Sequence, residues 1–124
     1  YTWEHQLQEM IKLAKGRKIP HVVWDSNHPQ IETDFQAGKY QVMFAHPASA
    51  GHGLTLTKGT ATIWPSPTYN LTHFRQGLKR IHRIGQTEKT ETIVIVADDT
   101  RDVTAWEALN YKGRNMDALL EELA

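Results

Sequence analysis

The chain has 124 residues, and its 14 Lys and Arg balance 14 Asp and Glu, so the formal net charge is zero with neutral histidines. That balance excludes a protein that coats nucleic acid by bulk electrostatics, and any anion contact must be local. The absence of cysteine excludes disulfides and thiolate metal sites and suits a reducing compartment.

The length is that of one domain with enough apolar content for a core. The seven histidines are scattered, with no helical ligand pair beside a carboxylate, so no metal site is expected. No apolar run approaches the roughly 20 residues of a membrane span, and no signal peptide opens the chain. A start at Tyr1 without Met reads as a piece excised from a longer chain. Asn70-Leu71-Thr72 fits the glycosylation pattern, and without secretory context it is read as chance.

In chain order, Trp3, Leu7, Met10, Ile11 and Ala14 recur at helical spacing. "KGRKIP" follows with a basic last turn, a Gly stop and a Pro. "IPHVVWD" reads as a short strand, "HPQIETDFQAGK" as a helix ending near Gly38, and "YQVMFAHP" as a second buried strand. "ATIWPSP" is a third apolar run, and the helix of "FRQGLKRIHRIGQ" comes next. "ETIVIVADD" is the clearest strand, a β-branched run ended by carboxylates. From Arg101 to Ala124 the pattern is helical, with Gly113 expected to divide or bend it. Strands alternating with helices imply βαβ units and a parallel sheet covered on both faces. The working loops then lie at the strands' carboxyl ends, at Asp25-Ser26-Asn27, His46–Gly53, Pro65–Asn70 and Asp98-Asp99.

Three stretches carry chemistry. In Phe74–Gln86, at about 100° per residue, Gln76, Arg80 and Arg83 fall within roughly 60° on one helix face. Leu71, Phe74, Leu78 and Ile81 fall on the opposite, packing face. An anion would relieve repulsion between the two guanidinium groups, and Arg suits forked contact with phosphate; a solvated basic face is the plainer alternative. "HPASAGHGLTL", His46–Leu56, places small residues with free N–H groups after a strand, which suits a nucleotide or DNA phosphate. It is not a P-loop, because no GxxxxGK[ST] occurs. "IVIVADD" raises a metal-binding acidic pair, but with no phosphate cradle present a helix cap or loop carboxylate is preferred.

Together these stretches resemble the C-terminal RecA-like lobe of Swi/Snf-type superfamily 2 DNA helicases and translocases, most of all the short phage and prophage members. "QGLKRIHRIGQ" looks like motif VI, Gln-x-x-x-Arg-x-His-Arg-x-Gly-Gln, and "SAGHGLTL" like motif V. "PSPTYNLTHFRQ" is similar to the segment between them, and "TRDVTAWEALNYKG" to the closing helix. The resemblance implies an α/β fold, a RecA-like three-layer sandwich with a mostly parallel sheet and helices on both faces, like a P-loop NTPase without the P-loop. It implies one helicase C-terminal domain over residues 1–124, joined in the full-length protein to an N-terminal ATP-binding lobe that holds most of the ATP and Mg2+.

By the same resemblance, Arg80 and Arg83 are the catalytic arginine fingers, a contribution of about 10³–10⁵ in related phosphoryl transfers. Gln76, Gly53 and Thr55 are expected to contact nucleotide. Ser49, Ala50, Gly51, Tyr69, Asn70 and Arg75 are expected to contact DNA, double-stranded, without reading its sequence. Thr55 stands where the family usually has Asn, which would alter a polar link between motifs V and VI. The loop after the second strand is trimmed relative to the family, and a frayed sheet edge is expected at Tyr1-Thr2. The isolated chain is expected to be monomeric and inactive, without membrane association, in the cytoplasm of a bacterium or phage-infected host. The alternatives are a stand-alone nucleic-acid-binding module and a doubly wound nucleotide-binding enzyme. The lack of a dinucleotide fingerprint and of a P-loop weighs against the latter.

Overall fold

The computed structural model describes residues 1–48, 54–68 and 70–123, with backbone alone for 118–123. Helix α1 spans Glu4–Gly16. The Gln6 carboxamide oxygen accepts the backbone N–H groups of Thr2 and Trp3 at 3.0 and 3.3 Å, satisfying donors ahead of the first turn. Leu7 and Ala14, two turns apart, are its buried positions. The helix ends at Gly16, as the sequence suggests, and the left-handed residue is Lys18 at φ 56. Residues 1 and 2 form no strand; the Tyr1 amino group instead donates to the Ala45 carbonyl at 2.9 Å.

Strand β1 (His21–Val23), helix α2 (Gln30–Gln36) and strand β2 (Val42–Phe44) make one βαβ unit. The strands are parallel, with His21, Val22 and Val23 opposite Val42, Met43 and Phe44. Helix α2 closes on a Schellman turn: Lys39 N–H bonds the Asp34 carbonyl and Gly38 N–H bonds that of Phe35, both at 3.0 Å. Gly38 takes φ +83 there, a conformation costly for any residue with a Cβ.

A second βαβ unit comprises β3 (Ala61–Trp64), α3 (Leu71–Lys79) and β4 (Glu91–Val94), again parallel, with Ile63 opposite Ile93 and Trp64 opposite Val94. The expected parallel pairing therefore holds, but among the described residues the ladders form two separate pairs rather than one continuous sheet. Asn70 caps α3 by accepting the His73 N–H at 2.9 Å. Inside α3, Gly77 lets the helix lie on the Trp64 ring, where an added Cβ would stand 2.9 Å from the ring carbon Cζ2.

Helix α4, Arg101–Leu123, passes through Gly113 without interruption, so that glycine does not divide the tail. Its start is organised by Thr100, whose hydroxyl accepts the Asp102 N–H, while Asp98 and Asp99 remain exposed loop carboxylates. Trp64, Phe74 and Trp106 form an aromatic chain linking β3, α3 and α4, with ring centroids 5.1 and 6.4 Å apart. Ala105 and Leu109 are buried on α4. Ile63, Ile93 and Ile95 stay exposed, Ile63 at 59%. A second buried cluster joins Phe35, Leu54, Leu56 and Ile81, flanked by Trp24, Tyr40, Met43 and Ala45. This cluster carries the candidate site.

Candidate arginine site

Helix α3 ends at Lys79, so both candidate arginines lie past its last residue. Arg80 occupies the cap position and is buried at 8%, and Ile81 is buried beside it in sequence. Residues 82–85 are exposed turn, with Gly85 at φ 101. The common helical face expected for Gln76, Arg80 and Arg83 is therefore not formed. Gln76 is half-buried on α3, Arg80 faces the interior, and Arg83 stands on the exposed turn. The helix ends at Lys79 and the chain turns through residues 81–85 to Gly85, a glycine in a left-handed conformation that a continuing helix does not contain.

The turn is brought back onto the segment that follows "SAGHG". Arg83 Nη1 donates to the Leu54 carbonyl at 2.7 Å, and Leu56 N–H donates to the Arg80 carbonyl at 2.9 Å. Leu54 and Leu56 are buried on either side of half-buried Thr55. The two motif-like stretches are thus linked through main-chain carbonyls of one and the other, a linkage that does not use the Thr55 side chain.

Gln86 completes the arrangement. Its Nε2 lies 3.0 Å from the carbonyl oxygens of Thr57 and Gly59 and 2.9 Å from that of Ile81, while its Oε1 accepts the Glu88 N–H. From α2, Gln36 donates to Thr57 Oγ1 and accepts the Lys58 N–H. Neither glutamine was a candidate from the sequence reading of faces and charges. The one signal for Gln86 was its place as the last residue of the motif VI-like pattern.

Burial holds the Arg80 pKa below the ordinary guanidinium value, because desolvation disfavours its charged form. Arg83, by contrast, is solvent-exposed with N–H donors to spare beyond the one given to Leu54. Beside it an open depression of about 560 Å³ is lined by His82, Arg83, Ile84, Gln86, Glu88, Lys89 and Thr90. Three cationic or protonatable groups face one carboxylate there, a lining that suits an anion. Among the described residues no three His, Asp or Glu side chains gather to hold a metal.

The remaining candidates divide. Ser49, Ala50, Gly51, Gly53 and Tyr69 lie outside the described residues. Asn70 is committed to capping α3. Arg75 pairs with Asp117 of α4 at 3.0 Å and approaches the Gly113 carbonyl at 3.4 Å. Neither side chain is gathered with the Arg80–Arg83 turn by any of these bonds. No helix among the described residues is long and apolar enough to cross a membrane.

No family model matches the chain. It is 35% identical over 130 residues to protein p41 of Acyrthosiphon pisum secondary endosymbiont phage 1, covering 99% of this chain and 27% of that protein. It is 33% identical over 114 residues to the DNA annealing helicase and endonuclease ZRANB3 of Bos taurus, covering 87% of this chain and 11% of ZRANB3. The chain thus spans about a quarter of the first relative and about a tenth of the second. In fold it matches the crystal structure of the C-terminal part of the Fun30 ATPase domain, with TM-score 0.78 and 16% identity over 86% of this chain and 36% of that one. The parallel βαβ units accordingly have the α/β RecA-like fold. In sequence and in fold, this chain is a relative of the C-terminal lobe of Swi/Snf-type helicases.

Proposed function

We propose that the chain is the second motor lobe of an ATP-dependent DNA helicase or translocase, with residues 1–124 forming one domain of a longer protein. The carrying observation is the Arg83 guanidinium, exposed beside an anion-suited depression yet oriented by a 2.7 Å bond to the Leu54 carbonyl. A cation fixed in direction and accessible to an incoming phosphate is suited to stabilising charge on a transferring phosphoryl group once a partner lobe closes over it and excludes water. Arg83 and Arg80 act as the arginine fingers, Arg83 from the exposed turn and Arg80 from its buried position. Gln76, Thr55 and Gly53 serve the nucleotide side. ATP and Mg2+ are held mainly by an N-terminal lobe, since this chain contains no P-loop sequence. When bound, that nucleotide and metal supply the phosphoryl transfer that drives movement along DNA.

Duplex DNA is the proposed track. Ser49, Ala50 and Gly51 contact its phosphates, a sequence-independent mode, and Tyr69 and Asn70, which precede α3 in the sequence, are further contacts. Arg75 contributes there only on leaving Asp117. The relationship to a DNA annealing helicase and the fold of an ATPase lobe support this reading.

The test is Arg83→Ala in the full-length protein. DNA-stimulated ATP hydrolysis is expected to fall by about 10³ or more, with ATP binding largely intact. Unchanged turnover would remove the finger role.

A further inference from the structure

We propose that Gln86 is the positioning residue of the arginine site: its carboxamide fastens the turn bearing Arg83 to the Leu54–Gly59 segment. The inference rests on the finger role of Arg83 and concerns how that side chain is aimed.

Apart from Gln86, the turn is held by the Arg83–Leu54 and Leu56–Arg80 bonds, by the His82 N–H to the Leu78 carbonyl at 3.2 Å, and by a 3.4 Å contact of Thr90 Oγ1 with His82 Nδ1. Residues 82–85 are all exposed, and Ile84 projects entirely into solvent at 101%. Its apolar anchor is Ile81 at one end, and at the other end stands half-buried Gln86. The carboxamide nitrogen has two hydrogens shared among three carbonyls, those of Thr57, Gly59 and Ile81, all within 3.0 Å. The carboxamide oxygen takes the Glu88 N–H at 2.9 Å, and the Gln86 backbone N–H bonds the Arg83 carbonyl at 3.0 Å. Every one of these partners is main chain, so none of the bonds depends on the rotamer of a partner side chain.

Two of the carbonyls that receive Gln86, those of Thr57 and Gly59, belong to a segment with a second hold. Gln36 bonds Thr57 Oγ1 at 2.9 Å and the Lys58 N–H at 2.8 Å, bracketing the same residues from α2. Arg83 Nη1 reaches the start of that segment at Leu54. The guanidinium direction is therefore referenced to Leu54–Gly59, and Gln86 sets the distance between the turn and that reference. A misplacement of about 1 Å at a charge-stabilising group can cost on the order of 10²-fold in rate. Gln86 touches no reacting atom in this account; it acts through Arg83.

The experiment uses the full-length protein, with steady-state ATP hydrolysis on duplex DNA. Gln86→Met keeps the length of the side chain and removes its polar atoms. Its kcat is expected to fall about tenfold to a hundredfold, with the ATP KM within about twofold, at a temperature where melting shows the variant folded. In an Arg83→Ala background the same change should cost no further turnover, because both act through one group. Gln86→Lys, which restores N–H donors toward the three carbonyls, should recover part of the loss.

A folded Gln86→Met with wild-type kcat overturns the inference while leaving the finger role standing. A further loss in the Arg83→Ala background overturns it equally, since a merely structural glutamine would add its effect. Wild-type turnover in Arg83→Ala alone overturns the finger role and this inference with it. Should Gln86→Met not fold, the wild-type protein nitrogen-labelled at glutamine decides. A Gln86 carboxamide protected from solvent exchange supports the fastening, and a freely exchanging one overturns it.

Discussion

Two helical glycines provide a paired test of the packing. Gly77 lies in α3 and Gly113 in α4. Replacing glycine by alanine inside a helix is ordinarily stabilising by about 1 kcal/mol. At Gly113 the nearest atoms to an added Cβ are Arg75 Nη2 and Leu71 Cδ1, both at 3.9 Å, which is ordinary contact. Gly113→Ala should therefore show the full gain of about 1 kcal/mol. At Gly77 the added Cβ would stand 2.9 Å from Trp64 Cζ2 and 3.4 Å from Cη2. That ring is 7% exposed and packs on Phe74, which packs in turn on Trp106, so it cannot retreat without moving a second aromatic. Overpacking of this kind costs about 1–3 kcal/mol. The propensity gain is common to both variants and cancels in their difference. Gly77→Ala should therefore be less stable than Gly113→Ala by about 1–3 kcal/mol, or roughly 4–12 °C in Tm for a chain of this size. Thermal melting by circular dichroism of the two variants beside the unchanged chain measures it directly. Equal melting temperatures, or a Gly77→Ala that gains stability, would refute the close approach of α3 to Trp64.

Two further predictions concern residues that the sequence placed near DNA. Asn70→Ala should lose about 1 kcal/mol of stability by removing the α3 cap, whereas Asn70→Asp should retain it; denaturant melts compare them. For Arg75 and Asp117, side chains 36% and 67% exposed, a double-mutant cycle should give a coupling of only about 0.2–1 kcal/mol that shrinks as salt is raised. No coupling at low salt would show that Arg75 is not held on α4.

The order of elements could be read from the sequence because it depends on local signals. The i, i+7 burial of Leu7 and Ala14 and the β-branched run before Asp98 announce their elements without knowledge of the rest. Gly16 was expected to stop α1 and is its last residue, with the left-handed turn following at Lys18. A break inferred from one residue type inside a long helix was less secure. Gly113 was expected to divide α4, yet it supports a continuous helix and offers its carbonyl to Arg75. Glycine lowers helix propensity by about 1 kcal/mol, too little to break a helix whose other turns pack through Ala105, Trp106 and Leu109. The small size of Gly77, for which local reading offers no reason, is accounted for by Trp64, thirteen residues earlier in sequence and on another element.

The site was half visible for a related reason. Charge and residue type mark Arg80 and Arg83 as candidates wherever they fall, but a helical wheel assumes that the helix continues. Here it ends at Lys79, and the wheel places Arg83 on a face that does not exist. What directs Arg83 instead is a set of long-range bonds: to Leu54 across 29 residues, and from Gln86 to Thr57 and Gly59 across 29 and 27. Such bonds leave no periodicity, because their acceptors are main-chain carbonyls that every residue possesses. The consequence for mechanism is that Arg83 and the segment after "SAGHG" cannot shift independently without breaking at least one of these bonds. A displacement of Leu54–Gly59 would be felt at the guanidinium through Leu54, and at the turn through Gln86. On the proposed reading, that shared main-chain connection is the route by which DNA held on the preceding loop would alter the rate at which nucleotide is hydrolysed.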